Sequence, residues 1–465
     1  MPLPIISVAQ MREWEKATWA TGQTEATVIA LVGRAIAERL LQLTPAGTEI
    51  LVLAGKGHNG DDAKAAIAHL SDRKVTLLNV IDPEAALTEV SRLPKNFAFI
   101  VDGLFGIGLS RPLNDSWQKL IAAINDYGVP ILSIDVPSGL NGDTGKVEGS
   151  AIRASVTLTV GAPKLGMVFS HAVPYVGRLE TVRNIGLVPP PHQSELNWIT
   201  AEDFRNFPPP RPVIAHKGSF GHLAIVAGSV GYHGAAVLCA RGALRAQPGL
   251  VSVFTPENVY VPVASQLQAA MVHPWKPGAS LPANCTALLF GPGLASKDLP
   301  AECKSELQHL WQTSPLPVIV DASALDWIPN GRVDSHALRV ITPHPGEAAR
   351  KLNCSTDAVQ SDRVASLREL SRRYGKCWVV LKGHQTLIGR DVGGISINPS
   401  GNPYLAQGGS GDLLAGLLAG LMAQPTLQTV AEQTLRYGVW RHGSVADQLN
   451  ETTRPWTVEE LASVL

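Results

Sequence analysis

The chain has 465 residues, room for two large domains or about three of average size. Its 39 Lys+Arg balance 39 Asp+Glu, so no net positive field steers it toward nucleic acid or anionic membrane. With 45% hydrophobic and 17% charged residues it is neither disordered nor built as a solvated coil, and 43 Gly with 34 Pro indicate many tight turns.

The predicted elements alternate. A long amphipathic segment at 9–43 comes first. Short apolar, β-branched runs follow at 49–54, 74–80, 97–101, 130–134 and 154–160, with helical stretches such as 62–70 and 116–127 between them. Runs of this kind, alternating with helices, predict a parallel sheet covered on both faces. A proline run, Pro208-Pro209-Pro210-Arg211-Pro212, cannot continue a helix or a ladder and predicts a linker at 208–213 between domains at 1–207 and 214–465. The second half repeats the pattern, with strands at 223–227, 250–254, 287–290, 317–320, 339–341 and 377–381 and helices at 235–246, 361–374 and 411–423. The five cysteines form no CxxC pair and are expected to be buried thiols of a cytoplasmic protein. The N-terminus lacks the pattern of a signal peptide. No segment is long and apolar enough to span a bilayer, and self-association is left open.

Polar and glycine motifs fall at predicted strand ends, where open α/β sheets bind ligands. In the first half these are Gly55-Lys56-Gly57-His58-Asn59-Gly60-Asp61-Asp62, Asp102-Gly103-Leu104-Phe105-Gly106-Ile107-Gly108-Leu109-Ser110-Arg111-Pro112 and Asp135-Val136-Pro137-Ser138-Gly139. A glycine turn before a helix exposes N–H groups to an anion, although Asp62 as a plain helix cap explains the first motif equally well. Three consecutive strand ends carrying Asn59, Asp102, and Asp135 with Ser138 are harder to ascribe to solvated turns.

These motifs resemble the YjeF-type N-terminal domain, the epimerase of hydrated nicotinamide dinucleotides, over about residues 9–187. The resemblance implies a Rossmann-like three-layer α/β/α sandwich. It implies that His58, Asn59, Gly60, Asp61, Asp62, Gly106, Ile107, Gly108, Leu109, Ser110, Arg111 and Pro112 contact the dinucleotide. It implies K+ held by Asn59, Asp102 and Ser138, and acid–base work at the reacting carbon by Asp135, with Lys164 a second candidate. The chain departs from the family pattern at His58, Asp61, Ala63 and Lys64, and at 29–35. Asp61 would repel a dinucleotide phosphate if it pointed inward.

In the second half, Gly408-Gly409-Ser410-Gly411-Asp412 opens an apolar helix. Amides at a helix N-terminus can cradle a phosphoryl group, and Asp412 could take a hydroxyl proton; a simple helix cap is the competing explanation. Lys382-Gly383-His384-Gln385-Thr386, Thr342-Pro343-His344-Pro345-Gly346-Glu347, Gly291-Pro292-Gly293-Leu294 and Ala227-Gly228-Ser229 follow other strands. As an ordered set over about 214–450 they resemble the ribokinase-like dehydratases of NADHX and NADPHX. The resemblance implies a C-terminal ribokinase-like α/β domain, ADP (or ATP) bound by Lys382, Gly383, His384, Gln385, Thr386 and Gly411, Mg2+, and hydrate bound by Ala236, Gly293, His344 and Asp412. Ser323 stands where the family commonly has a second Asp. The implied activity is a lyase fused to an isomerase that repairs hydrated NAD(P)H. The alternative is a ribokinase-type vitamin kinase with a non-catalytic dinucleotide-binding first domain.

Overall fold

In a computed structural model, all residues except 1, 110, 277, 298 and 452–454 are described. The chain folds as two compact units, Leu3–Trp198 and Ile199 to the C-terminus. Residues 208–214, which include the proline run, are exposed. By packing, however, the division falls at 198/199 rather than at 207. Phe204 is buried against Tyr437 and Trp440, which ties 199–207 to the second unit.

The first unit is a six-stranded parallel sheet. Its strands are β1 (Glu49–Ala54), β2 (Lys74–Asn79), β3 (Phe99–Gly103), β4 (Ile131–Ile134), β5 (Val156–Val160) and β6 (Arg178–Val182), in the order β2-β1-β3-β4-β5-β6. Alternation within β1 shows why it is a sandwich. Ile50, Val52 and Ala54 join the core with Val32, Ile36 and Leu40, while Leu51 and Leu53 face Leu120, Ile121 and Ile124 on the opposite side. The helices are α1 (Val8–Trp19), α2 (Glu25–Leu43), α3 (His58–Ile67), α4 (Pro83–Arg92) and α5 (Asp115–Asn125). The expected single segment at 9–43 is two helices, because Gly22 takes φ +89° and Thr24 caps α2. Helix α3 starts at His58 with Gly57 as its cap, so Asp62 lies inside the helix and is no cap.

Among the described residues the second unit holds nine strands: β7 (His222–Val226), β8 (Leu250–Pro256), β9 (Met271–Trp275), β10 (Ala287–Phe290), β11 (Val318–Val320), β12 (Arg339–Ile341), β13 (Trp378–Leu381), β14 (Leu387–Gly389) and β15 (Ile395–Ile397). Their order is β15-β14-β13-β12-β11-β10-β7-β8-β9, parallel except where β14 pairs with β13 and β15. The sequence pattern does not show β6, β9, β14 or β15. β14 and β15 are short, β6 (RLETV) breaks the apolar run with Arg178, Glu180 and Thr181, and β9 carries Pro274 at a sheet edge, the position that tolerates it. The principal helices are α6 (His233–Arg245), α7 (Ala301–Thr313), α8 (Pro345–Leu352), α9 (Arg363–Arg373), α10 (Ser410–Met422) and α11 (Ala431–Asn450). The expected helix at 361–374 is broken at Asp362, whose side chain accepts from Ala365 N and caps α9.

Helices α6 and α10 pack through glycines. A Cβ at Gly416 would lie 1.9 Å from the Cys239 carbonyl, and one at Gly242 would lie 2.1 Å from that of Leu413. This contact leaves α10 little freedom to shift and so fixes the residues at its start. Of the five cysteines, which are all free thiols, Cys354 is exposed and the other four are buried. Among the described residues no helix is long and apolar enough to cross a membrane.

Candidate active sites

In the first unit the loops after β1, β3 and β4, with α1, line a cavity of about 530 Å³. Of the expected dinucleotide contacts, His58, Asn59, Asp62, Gly106, Ile107, Gly108, Leu109, Arg111 and Asp135 line it. Gly60, Asp61 and Pro112 do not line it, and Ser110 lies outside the described residues. Gly60 is packed under the turn: a Cβ there would meet the Gly55 carbonyl at 2.0 Å. Asp61 points outward, 3.4 Å from Lys64 Nζ, so the repulsion feared for an inward carboxylate does not arise. Met11, Arg12 and Glu15 of α1 also line the cavity. Sequence reasoning missed them because they lie far along the chain from the glycine motifs.

Asp135 is 7% exposed and has φ +64°, a left-handed conformation that a non-glycine residue rarely adopts. Its Oδ1 accepts from Val160 N (3.2 Å), Thr159 Oγ1 (3.4 Å) and Lys164 Nζ. Its Oδ2 faces Gly106, 3.4 Å from where a Cβ there would stand. One oxygen is anchored and the other is presented to the cavity. Lys164 is fully buried, and its three donors go to Asp135, Thr159 and the Val160 carbonyl, so it holds Asp135 rather than meeting a ligand.

Asp102 is wholly buried. Oδ1 accepts from Ser138 Oγ (2.6 Å) and Leu104 N (3.3 Å), and Oδ2 from Ser133 Oγ (2.7 Å) and Ser138 N (2.9 Å). Burial raises its pKa, while these donors oppose the rise. Asn59 donates Nδ2 to the carbonyls of Phe105 (2.9 Å) and Ile134 (3.1 Å). Asn59, Asp102 and Ser138 therefore brace the loops to one another.

In the second unit, Gly409 caps α10 at φ +92°, which places Asp412 in the first turn and corrects the simple-cap explanation. Lys382, just beyond β13, puts Nζ 2.8 Å from Asp321 Oδ1, and Thr342 Oγ1 donates to the same oxygen at 2.6 Å. Lys382 thus enters an ion pair beside α10; a Cβ at Gly411 would lie 3.3 Å from its Nζ. Burial, with Asp321 and Glu347 nearby, pushes the Asp412 carboxyl up to about 7 against the pull of Lys382. Asp321 and Glu347 were not among the expected site residues. Their signal was position: Glu347 follows β12, the strand adjacent to that of Lys382, and Asp321 follows β11, the next strand over. Among the described residues no three His, Cys, Asp or Glu side chains group as a ready-made metal site.

His384 and Gly383 are exposed on the turn after β13. Arg363 of α9 donates to the carbonyls of His384, Gln385 (3.2 Å) and Leu381 (3.0 Å), and Thr386 Oγ1 to that of Gly383 (3.0 Å). His344 caps α8 and is half exposed. Gly293 has φ +68° and its carbonyl accepts from Ser229 Oγ at 2.6 Å; a Cβ there would lie 3.3 Å from Gly228 Cα. Ala236 is fully buried behind Gly228, where a Cβ would meet its own at 3.1 Å. The chain runs from β7 to β8 on one side and reaches β10 on the other, so Gly228 and Gly293 sit where the strand order reverses.

Two parallel α/β units, each with acids and glycine turns at the carboxyl ends of its strands, define a two-site α/β enzyme. Residues 223–464 match the NAD(P)H-hydrate dehydratase family, and 80–166 match the YjeF-related protein N-terminus. The chain is 36% identical over 474 residues to the bifunctional NAD(P)H-hydrate repair enzyme Nnr of Coxiella burnetii, covering 95% of this chain and 94% of that protein. It is 32% identical to the Escherichia coli protein of the same name, covering 86% and 80%. A solved ADP/ATP-dependent NAD(P)H-hydrate dehydratase from Bacillus subtilis, co-crystallised with ATP and Mg2+, is 29% identical, with a TM-score of 0.49 over 55% of this chain and 91% of that one. The chain belongs to the family of bifunctional NAD(P)H-hydrate repair enzymes, and its two units correspond to the epimerase and dehydratase halves.

Proposed function

We propose that Asp412 is the base of an ADP-dependent (or ATP-dependent) dehydration of the (6S)-hydrates of NADH and NADPH. Its carboxylate takes the proton of the C6 hydroxyl as that oxygen attacks the terminal phosphoryl group. The first-turn amides of α10 and Lys382 stabilise the developing charge. Phosphate then leaves C6, driven by the ring-nitrogen lone pair, and loss of a C5 proton restores the reduced ring. Hydroxide is a poor leaving group and phosphate a good one, which is what the nucleotide supplies.

Lys382, Gly383, His384, Gln385, Thr386 and Gly411 are proposed to face the nucleotide, and Ala236, Gly293 and His344 the hydrate. Asp321 Oδ1 is taken by Lys382 and Thr342 and Glu347 Oε2 by His344 N, while no hydrogen bond to Asp321 Oδ2 occurs among the described residues; Asp321 would hold Mg2+ carried on nucleotide phosphates, where it would supply charge neutralisation. For K+ the residues do not fit as arranged. All four lone-pair directions of Asp102 are taken by protein donors, which leaves it none for a cation.

In the first unit Asp135 is proposed as the base that interconverts R and S hydrates. The observation carrying the whole reading is Asp412 in the first turn of α10 with its carboxyl near neutrality. The test is recovery of reduced-nicotinamide absorbance from mixed hydrates with ADP, together with phosphate release. A stable phosphorylated product would instead favour the kinase reading.

A further inference from the structure

The mechanism so far leaves one buried acid of the first unit without a role. Asp62 is 8% exposed and lines the same cavity as Asp135. No hydrogen bond or ion pair of its side chain occurs among the described residues; its neighbour Asp61, not Asp62, pairs with Lys64. A carboxyl nine-tenths buried normally finds a donor. The charged groups around it are Asp135 beyond β4, Glu15 and Arg12 on α1, His58 and Asp61 on its own helix, and Lys56 just before it. Lys164 is committed to Asp135.

We propose that Asp62 is the proton donor of the epimerase, paired with Asp135 as base, and that the two open and reclose the hydrated nicotinamide ring. This rests on the epimerase reading of the first unit. The C6 carbon carries both a hydroxyl and the ring nitrogen N1. Asp135 Oδ2 takes the hydroxyl proton, the C6–O bond becomes a carbonyl, the C6–N1 bond breaks with its electron pair going to N1, and Asp62 protonates N1. The open form is an aldehyde. Rotation about C5–C6 presents its other face. In reclosure N1 attacks, Asp62 recovers its proton, and Asp135 returns the proton to oxygen. Atoms, protons and electrons balance with no oxidant, reductant or further reactant.

The environments of the two acids match these roles. Lys164 and two further donors fix Asp135 through Oδ1 and leave Oδ2 to take a proton, the geometry a base requires. Asp62 lacks donors, and burial, then Asp135, Asp61 and Glu15, push its carboxyl up to about 8, so it carries a proton at neutral pH.

The experiment uses the full chain, purified R-hydrate and chiral separation of R from S, with ADP-driven loss of S-hydrate as an internal control. Asp62→Asn should slow R-to-S conversion about 10²–10⁴-fold, the usual yield of a positioned acid, and leave S-hydrate turnover unchanged. Wild-type conversion should fall as pH rises through about 8. The residual activity of Asp62→Asn should lose that fall, and Asp62→Glu should regain it along with part of the rate. A purely structural role for Asp62 would not move the pH profile. Conversion by Asp62→Asn close to wild type, or an unchanged high-pH limb, overturns the proposal. So does loss of that limb in Glu15→Gln alone, which would make Glu15 the donor. Asp135→Asn separates the two levels: if it also leaves conversion intact, the epimerase reading itself fails, whereas if only Asp135→Asn is inactive, Asp62 alone is excluded.

Discussion

Lys382 Nζ stands 2.8 Å from Asp321 Oδ1, and this ion pair lies beside the helix turn that carries Asp412. Lys382 thereby serves two acids: it neutralises Asp321 and draws the Asp412 carboxyl down against the rise caused by burial. Lys382→Met should move the pH limb of S-hydrate dehydration above the wild-type position. Breaking a buried pair from one side should also cost about 3–5 kcal/mol of stability. Rate–pH profiles and denaturant melts check both. A limb that stays in place would show that the lysine does not govern the acid.

Asp412 must be ionised to accept a proton, so dehydration should rise with pH through about 7. Asp412→Asn should lower the rate about 10²–10⁴-fold with the chain still folded. The measurement is reduced-nicotinamide absorbance from S-hydrate and ADP.

Arg363 holds the turn after β13, the turn proposed to bind the nucleotide, through its carbonyls. Arg363→Ala should weaken nucleotide binding about tenfold, the equivalent of one lost charged hydrogen bond, and leave the rate at saturating ADP near wild type. Titration calorimetry with ADP and a KM-against-kcat comparison test it. An equal fall in kcat with unchanged KM would refute it.

Asp102 accepts four hydrogen bonds in full burial and should act on stability rather than on ion binding. Asp102→Ala would leave Ser133 and Ser138 without their acceptor, at a cost of about 2–4 kcal/mol. Replacing potassium by a bulky organic cation should leave R-to-S conversion unchanged. A clear potassium requirement would show that Asp102 or Asn59 rearranges around the ion.

Asp62 also makes a stability prediction. Its folded pKa lies above its unfolded value near 4, so the stability it contributes is present below about pH 4 and is lost as pH rises through about 8. Asp62→Asn should therefore raise the melting temperature of the first unit at pH 9, by on the order of 1–3 kcal/mol of stability, and change little at pH 5. A variant no more stable than wild type at pH 9 would mean the charge is already well solvated.

The sequence by itself determined the class of both units and the strand ends that matter. Parallel strands buried on both faces must be apolar throughout, so β1, β3 and β4 stand out, and the glycine turns that follow them are local in the chain. It also sufficed to single out Asp135 and Asp412, because each lies inside a motif. Only the tertiary structure decided what those acids can do. Lys164 reaches Asp135 from 29 residues away, and Lys382 reaches Asp321 from 61 residues away. Glu15 comes to the cavity from an N-terminal helix. Whether Asp61 or Asp62 faces inward depends on where α3 begins, which Gly57 sets and which the run of polar residues leaves ambiguous. A carboxyl's proton affinity depends on burial and on charges brought near by folding, and neither quantity exists in the unfolded chain.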